Sequence, residues 1–225
     1  MKNLVVFTGA GISAESGLGT FRDSGGLWEN YKIEEVATLD AFVKNPELVL
    51  DFYNLRRRQM IKSKPNNAHY SLNLLEKKFN LSIITQNVDD LHERSGSKNI
   101  LHLHGQLNQS MSTNDGRVFD IEGSELNIGD CCPLGSQLRP NVVWFGEMVP
   151  NIQIATEIVV KADIFIIIGT SLNVYPAASL LDYTSESCRV ILIDKDPVMV
   201  DGIEILAESA TIGVPSIVDK LLKYH

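Results

Sequence analysis

Residues 9–15 read Gly-Ala-Gly-Ile-Ser-Ala-Glu and follow a short apolar run at residues 4–7. Glycines two positions apart at the end of such a run suit a turn that receives phosphate. Gly9 permits a sharp exit from a strand, and Gly11 lets a pyrophosphate approach the backbone. A helix beginning there would aim free N–H groups at the phosphates. The spacing Gly9-x-Gly11-x-x-Ala14 therefore fits a loose dinucleotide fingerprint, a short pattern that chance also produces.

The usual continuation is a helix, then a strand ending in an acid about 20 residues on. Residues 16–28 depart from it, being too rich in glycine for a helix interior. Phe21 and Arg22 beside a phosphate loop fit a cover over a bound nucleotide; the alternative is a plain surface loop.

Three more apolar, β-branched segments, at residues 81–85, 164–168 and 190–193, join residues 4–7 as candidate central strands. Strands apolar at every position belong to a parallel sheet covered on both faces. Thr8-Gly9, Gln86-Asn87 and Gly169-Thr170-Ser171 follow three of these runs, at the strand ends where open α/β sheets bind ligands. Residues 34–62 and 66–79 are helical in pattern, with Asn45-Pro46-Glu47 as a start and Pro65 as a break. Residues 107–138 are polar, contain glycine and lack long apolar runs, which predicts a small β-ribbon module inserted into the sheet domain. Residues 214–224 predict a closing helix with Pro215 in its first turn.

The 225 residues suffice for one large domain or two small lobes, and 44% hydrophobic with 21% charged content is ordinary for a globular chain. A net charge of −8 argues against a general nucleic-acid binder, which needs a basic surface to displace counterions. No apolar run approaches the roughly 18 residues of a membrane span. The first seven residues are too short for a signal-peptide core. Two adjacent cysteines, Cys131 and Cys132, and a distant Cys188 make no disulfide framework, so a reducing cytoplasm is expected.

Taken together, the phosphate loop, Thr85-Gln86-Asn87-Val88-Asp89, Leu103-His104-Gly105, Val143-Trp144-Phe145-Gly146-Glu147 and Gly169-Thr170-Ser171 resemble the sirtuins in order and spacing. These are NAD-dependent protein lysine deacylases, and the resemblance covers nearly the whole chain. It implies an α/β fold: a Rossmann-like parallel-sheet domain over residues 1–28, 70–106 and 139–225. A smaller domain would combine a helical insertion (29–69) with a usually zinc-bearing β-ribbon (107–138).

The reaction implied by the resemblance breaks the nicotinamide–ribose bond as the acyl-lysine oxygen attacks C1′. A ribose hydroxyl then attacks the imidate, leaving free lysine and O-acyl-ADP-ribose. His104 falls at the position of the base, a role suited to a group titrating near pH 6.5. For His69, His92 and His102 a structural hydrogen-bonding role is the expectation. Asn87 is the second catalytic position. Gly9, Ala10, Gly11, Ser13, Phe21, Arg22, Gln86, Asn87, Asp89, Gly169, Thr170, Ser171 and Asp194 fall at NAD-binding positions. Asp194 stands where the family commonly has Asn, and a carboxylate still accepts from ribose hydroxyls. Asn87 and Asp89 could instead merely cap a turn. Val143, Phe145, Gly146, Glu147, Val174 and Tyr175 resemble the segments that clamp a substrate peptide as an added strand.

Tyr53 and Arg56, three apart in a helical stretch, share a face. Their spacing resembles the marker of sirtuins that prefer succinyl- and malonyl-lysine; a guanidinium and a phenol can hold a terminal carboxylate. The other reading of Arg56-Arg57-Arg58 is a solvated basic face. Structural zinc needs four ligands, and only Cys131 and Cys132 lie in the ribbon, where Ser110, Met111 and Ser112 replace the first pair. No zinc is therefore expected, and Val118, Phe119, Ile121 and Leu126 are the candidates to pack the module. The expected partners are acyl-lysine-bearing proteins, with no nucleic acid and no membrane. Competing functions are ADP-ribosyl transfer or NAD hydrolysis on the same fold, or NAD sensing without catalysis.

Overall fold

The computed structural model describes residues 1–19 and 31–224. Strand β1 (Lys2–Thr8) is buried over residues 4–8, and its side chains alternate between the two sides of the sheet, as strand geometry requires. Leu4 and Val6 join one hydrophobic cluster; Val5 and Phe7 join another on the opposite face. A single turn, α1 (Gly11–Ala14), follows it. The phosphate loop therefore leads into one helical turn instead of the long helix of an ordinary dinucleotide unit.

Helices α2 (Ile33–Val36), α3 (Leu39–Lys44) and α4 (Pro46–Lys62) come next. Asn45 caps α4 by accepting from the Leu48 N–H at 3.2 Å, with Pro46 at the first helical position. After Pro65, α5 (Asn67–Asn73) gives way to a 3₁₀ turn at Leu74–Lys77, then β2 (Phe79–Thr85). The helical pattern predicted to residue 79 thus ends early, because Phe79 packs into the sheet core. Helix α6 (Leu91–Ser95) and β3 (Ile100–His102) complete this half.

A separate antiparallel sheet, in the order β5-β4-β6, is made by β4 (Gly105–Ser112), β5 (Val118–Asp120) and β6 (Leu138–Val142). It extends past residues 107–138 at both ends, since Gly105 pairs with Val142. The chain returns through α7 (Ile152–Val159), β7 (Ile164–Ile168), a 3₁₀ helix at Ala177–Tyr183, β8 (Arg189–Asp194), β9 (Glu204–Ala207) and α8 (Ala210–Tyr224). The large sheet is wholly parallel, in the order β3-β2-β1-β7-β8-β9. The order reverses between β1 and β7, which opens a crevice at their carboxyl ends. Thr8 sits in register with Thr85 on one side and Ile168 on the other, so three strands end on one line.

Helix α8 begins four residues before the predicted start, which leaves Pro215 inside it. The cause is Glu15, whose carboxylate accepts from the Thr211 N–H (3.1 Å) and from the hydroxyls of Ser209 and Thr211. A carboxylate on that first-turn N–H favours the helix start there. Helices α2 to α4 and the antiparallel sheet share one hydrophobic cluster, including Phe52, Tyr53, Leu107, Leu126, Val142 and Trp144. Leu126 and Ile121 belong to it, but Val118, expected as packing, is 47% exposed. Buried polar groups supply the rest. Arg57, fully buried, donates to the carbonyls of Leu107 and Ser124 and to Asn54, whose amide also clasps the Leu126 backbone.

Candidate active site

The sheet's carboxyl edge collects the side chains singled out in the sequence. Gly9 donates to Ile168 O, and Gly11 donates to Gly169 O, both at 2.9 Å. A Cβ on Gly11 would stand 2.6 Å from the Gly169 Cα, and one on Gly9 would stand 2.7 Å from the Gly169 oxygen. The approach of two protein backbones therefore by itself requires glycine at position 11. This close contact brings the loops after β1 and β7 together as one cradle.

Ser13 ties that cradle to the segment after β2. Its hydroxyl donates to Asp89 Oδ2 (3.0 Å) and accepts from Asn87 Nδ2 (3.2 Å), which also donates to Gly9 O (3.1 Å). Both bonds from the Asn87 side chain use Nδ2, so Oδ1 is uncommitted among the described residues. Burial pushes the Asp89 carboxyl up, against the opposing pull of the Leu91 N–H, Ser13 and the His102 charge. Gln86 donates from Nε2 to the Thr170 hydroxyl (3.0 Å), bridging the second loop to the third. Asn87 and Asp89 are thus more than turn caps.

Two histidines at the end of β3 behave oppositely. His102 places Nδ1 on the Asn87 carbonyl (3.0 Å) and Nε2 on Glu93 Oε1 (2.7 Å). Neither partner can donate, so both ring nitrogens carry hydrogen and the ring is cationic. Burial disfavours that charge, but Glu93 outweighs it and His102 is raised above the ordinary range. His104 has one such partner: Nδ1 faces the Gln86 carbonyl at 3.0 Å, which leaves the lone pair on Nε2. Burial lowers its pKa, with Gln86 acting the other way, so His104 is a neutral base at pH 7. Gly105 (φ 79°) follows it, where a Cβ would overlap the Asn141 carbonyl.

Deeper still, Thr8 bonds Thr85 (2.8 Å) and His92 (3.0 Å), and His92 packs edge-on against His69. These two histidines and His102 are structural, as expected, with His102 positioning Asn87.

Tyr53 is 1% exposed, and the Arg56 guanidinium carbon lies 5.9 Å from its ring centroid. Burial lowers Arg56, while the charges of Tyr53 and Asp89 oppose that shift. The arginine run divides three ways. Arg56 is beside Tyr53, Arg57 is in the core, and Arg58 is at the surface on Glu125 (2.7 Å).

In the segment 143–147, Val143 donates to His104 O, Phe145 to Ala37 O, Glu147 to Trp144 O and Trp144 to Glu147 Oε2. Of these backbone N–H groups, only that of Gly146 is uncommitted among the described residues. Both Glu147 oxygens bind Arg139, at 2.7 and 2.8 Å. Its side chain thus holds Arg139 and Trp144. Phe145 is 47% exposed, Val174 and Tyr175 are also exposed, and Val143 is half-buried. Ser171 and Ala10 are half-buried on their loops, and Asp194 closes β8 at the same edge. Phe21 and Arg22 lie outside the described residues.

The donor set of a zinc site is not assembled: no three His, Cys, Asp or Glu side chains converge among the described residues. Cys132 accepts from the Ser112 hydroxyl at 3.5 Å, and Cys131 is exposed. Gln137 instead gathers the loop. Its Nε2 lies within hydrogen-bond reach of the Asn127, Asp130 and Leu138 carbonyls, and its Oε1 accepts from Gly129 N. Sequence reasoning missed Gln137, Trp144, Arg139 and Glu93. A tryptophan between two named substrate positions was the one available signal.

Residues 9–176 match the Sir2 family. An NAD-dependent protein deacylase of Bacteroides thetaiotaomicron is 51% identical over 231 residues, covering 99% of each chain. Another, from Helicobacter pylori, is 49% identical over 226 residues, again covering 99% of each. Among solved structures, a mutant Sir2 homologue with ADP-ribose superposes with a TM-score of 0.91 at 40% identity, covering 100% of this chain and 94% of the other. A Sir2 homologue in complex with NAD gives 0.90 at 40% identity, covering 99% and 90%. The chain belongs to the Sir2 family, the sirtuins.

Proposed function

We propose that this protein removes acyl groups from protein lysine side chains with NAD as co-substrate, favouring succinyl and malonyl over acetyl. The observation that carries the deacylase reading is the neutral His104, its Nε2 lone pair left free by the Nδ1 bond to Gln86, on a sheet edge shared with Asn87 and Asp89. NAD fits the residues present: glycine cradles at Gly9, Gly11 and Gly169, an uncommitted Asn87 Oδ1, and a buried carboxyl at Asp89. Bound there, NAD would supply a glycosidic bond whose cleavage lets the acyl oxygen attach to ribose; with one water consumed, the products would be nicotinamide, free lysine and O-acyl-ADP-ribose.

The residues divide the work. Gln86, Thr170, Ser171 and Asp194 offer polar atoms to ribose and phosphate oxygens. His104 accepts a proton at Nε2 from a ribose hydroxyl. The Gly146 N–H is the donor open to an added peptide strand, beside exposed Phe145, Val174 and Tyr175. The preference for acidic acyl groups rests on Tyr53 and Arg56, one phenol and one guanidinium in a mostly buried corner. The relatives from Bacteroides thetaiotaomicron and Helicobacter pylori are NAD-dependent protein deacylases, which supports the deacylation itself. No described helix is long and apolar enough to cross a membrane, and the three described cysteines are free, which supports a cytoplasmic site of action.

The test is incubation with NAD and matched acetyl-, malonyl- and succinyl-lysine peptides, with products read by mass spectrometry. O-succinyl- or O-malonyl-ADP-ribose in clear excess supports the whole reading. An acetyl excess keeps the enzyme and removes the acyl preference. Nicotinamide release without deacylation of any peptide overturns it in favour of ADP-ribosyl transfer or NAD hydrolysis.

A further inference from the structure

The Tyr53 hydroxyl makes one hydrogen bond among the described residues: it accepts from the Trp144 indole N–H at 2.9 Å. A phenolic hydrogen lies near the ring plane, on one side of the oxygen or the other. With a donor on one side, it must turn to the opposite side. The Tyr53 ring cannot swing to escape this choice, being 1% exposed and packed edge-on against Phe52 at 5.2 Å. Burial raises Tyr53 to about 12, so the phenol keeps its hydrogen across the physiological range.

The indole is itself held from several directions. The Arg139 guanidinium lies over its ring at 3.7 Å, and Phe42 packs beside it at 5.4 Å. Arg139 is fixed in turn by its two bonds to Glu147 and one to the Val142 carbonyl (3.0 Å). Glu147 closes the loop by accepting from the Trp144 backbone N–H at 2.8 Å. Burial opposes its charge, yet Arg139 and that N–H hold the Glu147 carboxyl below the ordinary range. A partly buried ion pair thus braces a tryptophan whose polar atom serves one phenol.

We propose that Trp144, braced by Arg139 and Glu147, is a specificity-determining positioning residue that aims the Tyr53 hydroxyl hydrogen at the acyl terminus. The inference rests on the proposed acidic-acyl preference and deepens it. Accepting the indole hydrogen polarises the phenol and makes it a stronger donor. A terminal carboxylate, already drawn by Arg56, uses that donor; a methyl terminus cannot. Trp144 therefore acts on the choice of acyl group through Tyr53 without itself supplying a hydrogen bond to substrate.

The experiment compares Trp144→Phe, Tyr53→Phe and the double variant, measuring kcat/KM for succinyl and acetyl peptides at saturating NAD. Because phenylalanine is smaller, site-specific replacement of Trp144 by 3-benzothienylalanine, which keeps the ring shape and lacks the N–H, serves as the second variant. Each Trp144 change should lower the succinyl-to-acetyl ratio about tenfold, the scale of one charge-assisted hydrogen bond, mainly through the succinyl KM. In the Tyr53→Phe background the same change should have no further effect on that ratio. A wild-type protein without acidic-acyl preference overturns the acyl reading and this inference together. A preference removed by Tyr53→Phe but unmoved by the benzothienyl replacement overturns this inference alone, as does an equal loss on both peptides.

Discussion

The two sheets of this molecule are held together by different physics. In the parallel sheet, β1 is apolar from Leu4 to Phe7 and β7 throughout, and Gly11 meets Gly169 backbone to backbone. The antiparallel sheet has an exposed Val118 and polar clamps: Arg57 with Asn54, Gln137 on its loop, and Arg139 with Glu147. The first presents a crevice assembled from strand ends. The second, with α4, forms the corner where Tyr53 and Trp144 meet. On the proposed reading, chemistry common to all acyl groups belongs to the apolar scaffold, and the choice among acyl groups belongs to the polar one.

That contrast can be broken most forcefully at His104. His104→Ala should lower kcat by about 10²–10⁴-fold for every acyl peptide, the range for loss of a general base. Its unfolding midpoint should stay near wild type. A loss confined to one acyl group would contradict the division. On the other side, Arg57→Met removes a buried cation and leaves the Asn54, Leu107 and Ser124 oxygens without their donor. It should cost about 3 kcal/mol in urea unfolding, the scale for orphaned buried polar groups. Arg58→Ala, next in sequence but exposed on Glu125, should change stability by about 0.5 kcal/mol or less. Equal costs at both positions would mean that the arginine run acts as one surface.

How much of this was legible depended on what each residue answers to. The strand at Ile164–Ile168 was readable because five apolar, β-branched or aromatic residues in a row leave few other homes. His104 and Asn87 could be named from motif position. The roles within Arg56-Arg57-Arg58 could not, because which of three adjacent arginines is buried depends on the ribbon's position against α4. Trp144 was passed over for the same reason: its indole partner, Tyr53, is 91 residues away. The start of α8 turned on Glu15, nearly two hundred residues earlier. Gln137 carried no motif at all.

A pH dependence separates the buried structural histidines from the one proposed as the catalytic base. Burial holds His69 down to about 4 and His92 well below its ordinary value. Above about pH 6.5 both are neutral folded or unfolded. As pH falls from there toward 4, the unfolded chain takes up protons that the fold refuses. Stability should therefore decline by up to roughly 1.4 kcal/mol per pH unit for each histidine. His102, raised by Glu93, contributes in the opposite sense; its share is complete below about 6.5 and is lost as pH rises through its folded pKa. Urea midpoints should be lower at pH 5 than at pH 7.5, and a flat profile would remove the buried neutral pair from the account. Because burial lowers His104 as well, the acid limb of kcat/KM should fall below pH 6.5.

The most direct test of the division between common chemistry and acyl choice is Arg56→Ala, measured with succinyl and acetyl peptides side by side. The account predicts that desuccinylation falls far more than deacetylation, by about tenfold or more in the ratio of kcat/KM, because a terminal carboxylate loses its cation while a methyl loses nothing. Equal losses on the two peptides would contradict it and return Arg56 to the general fabric of the fold.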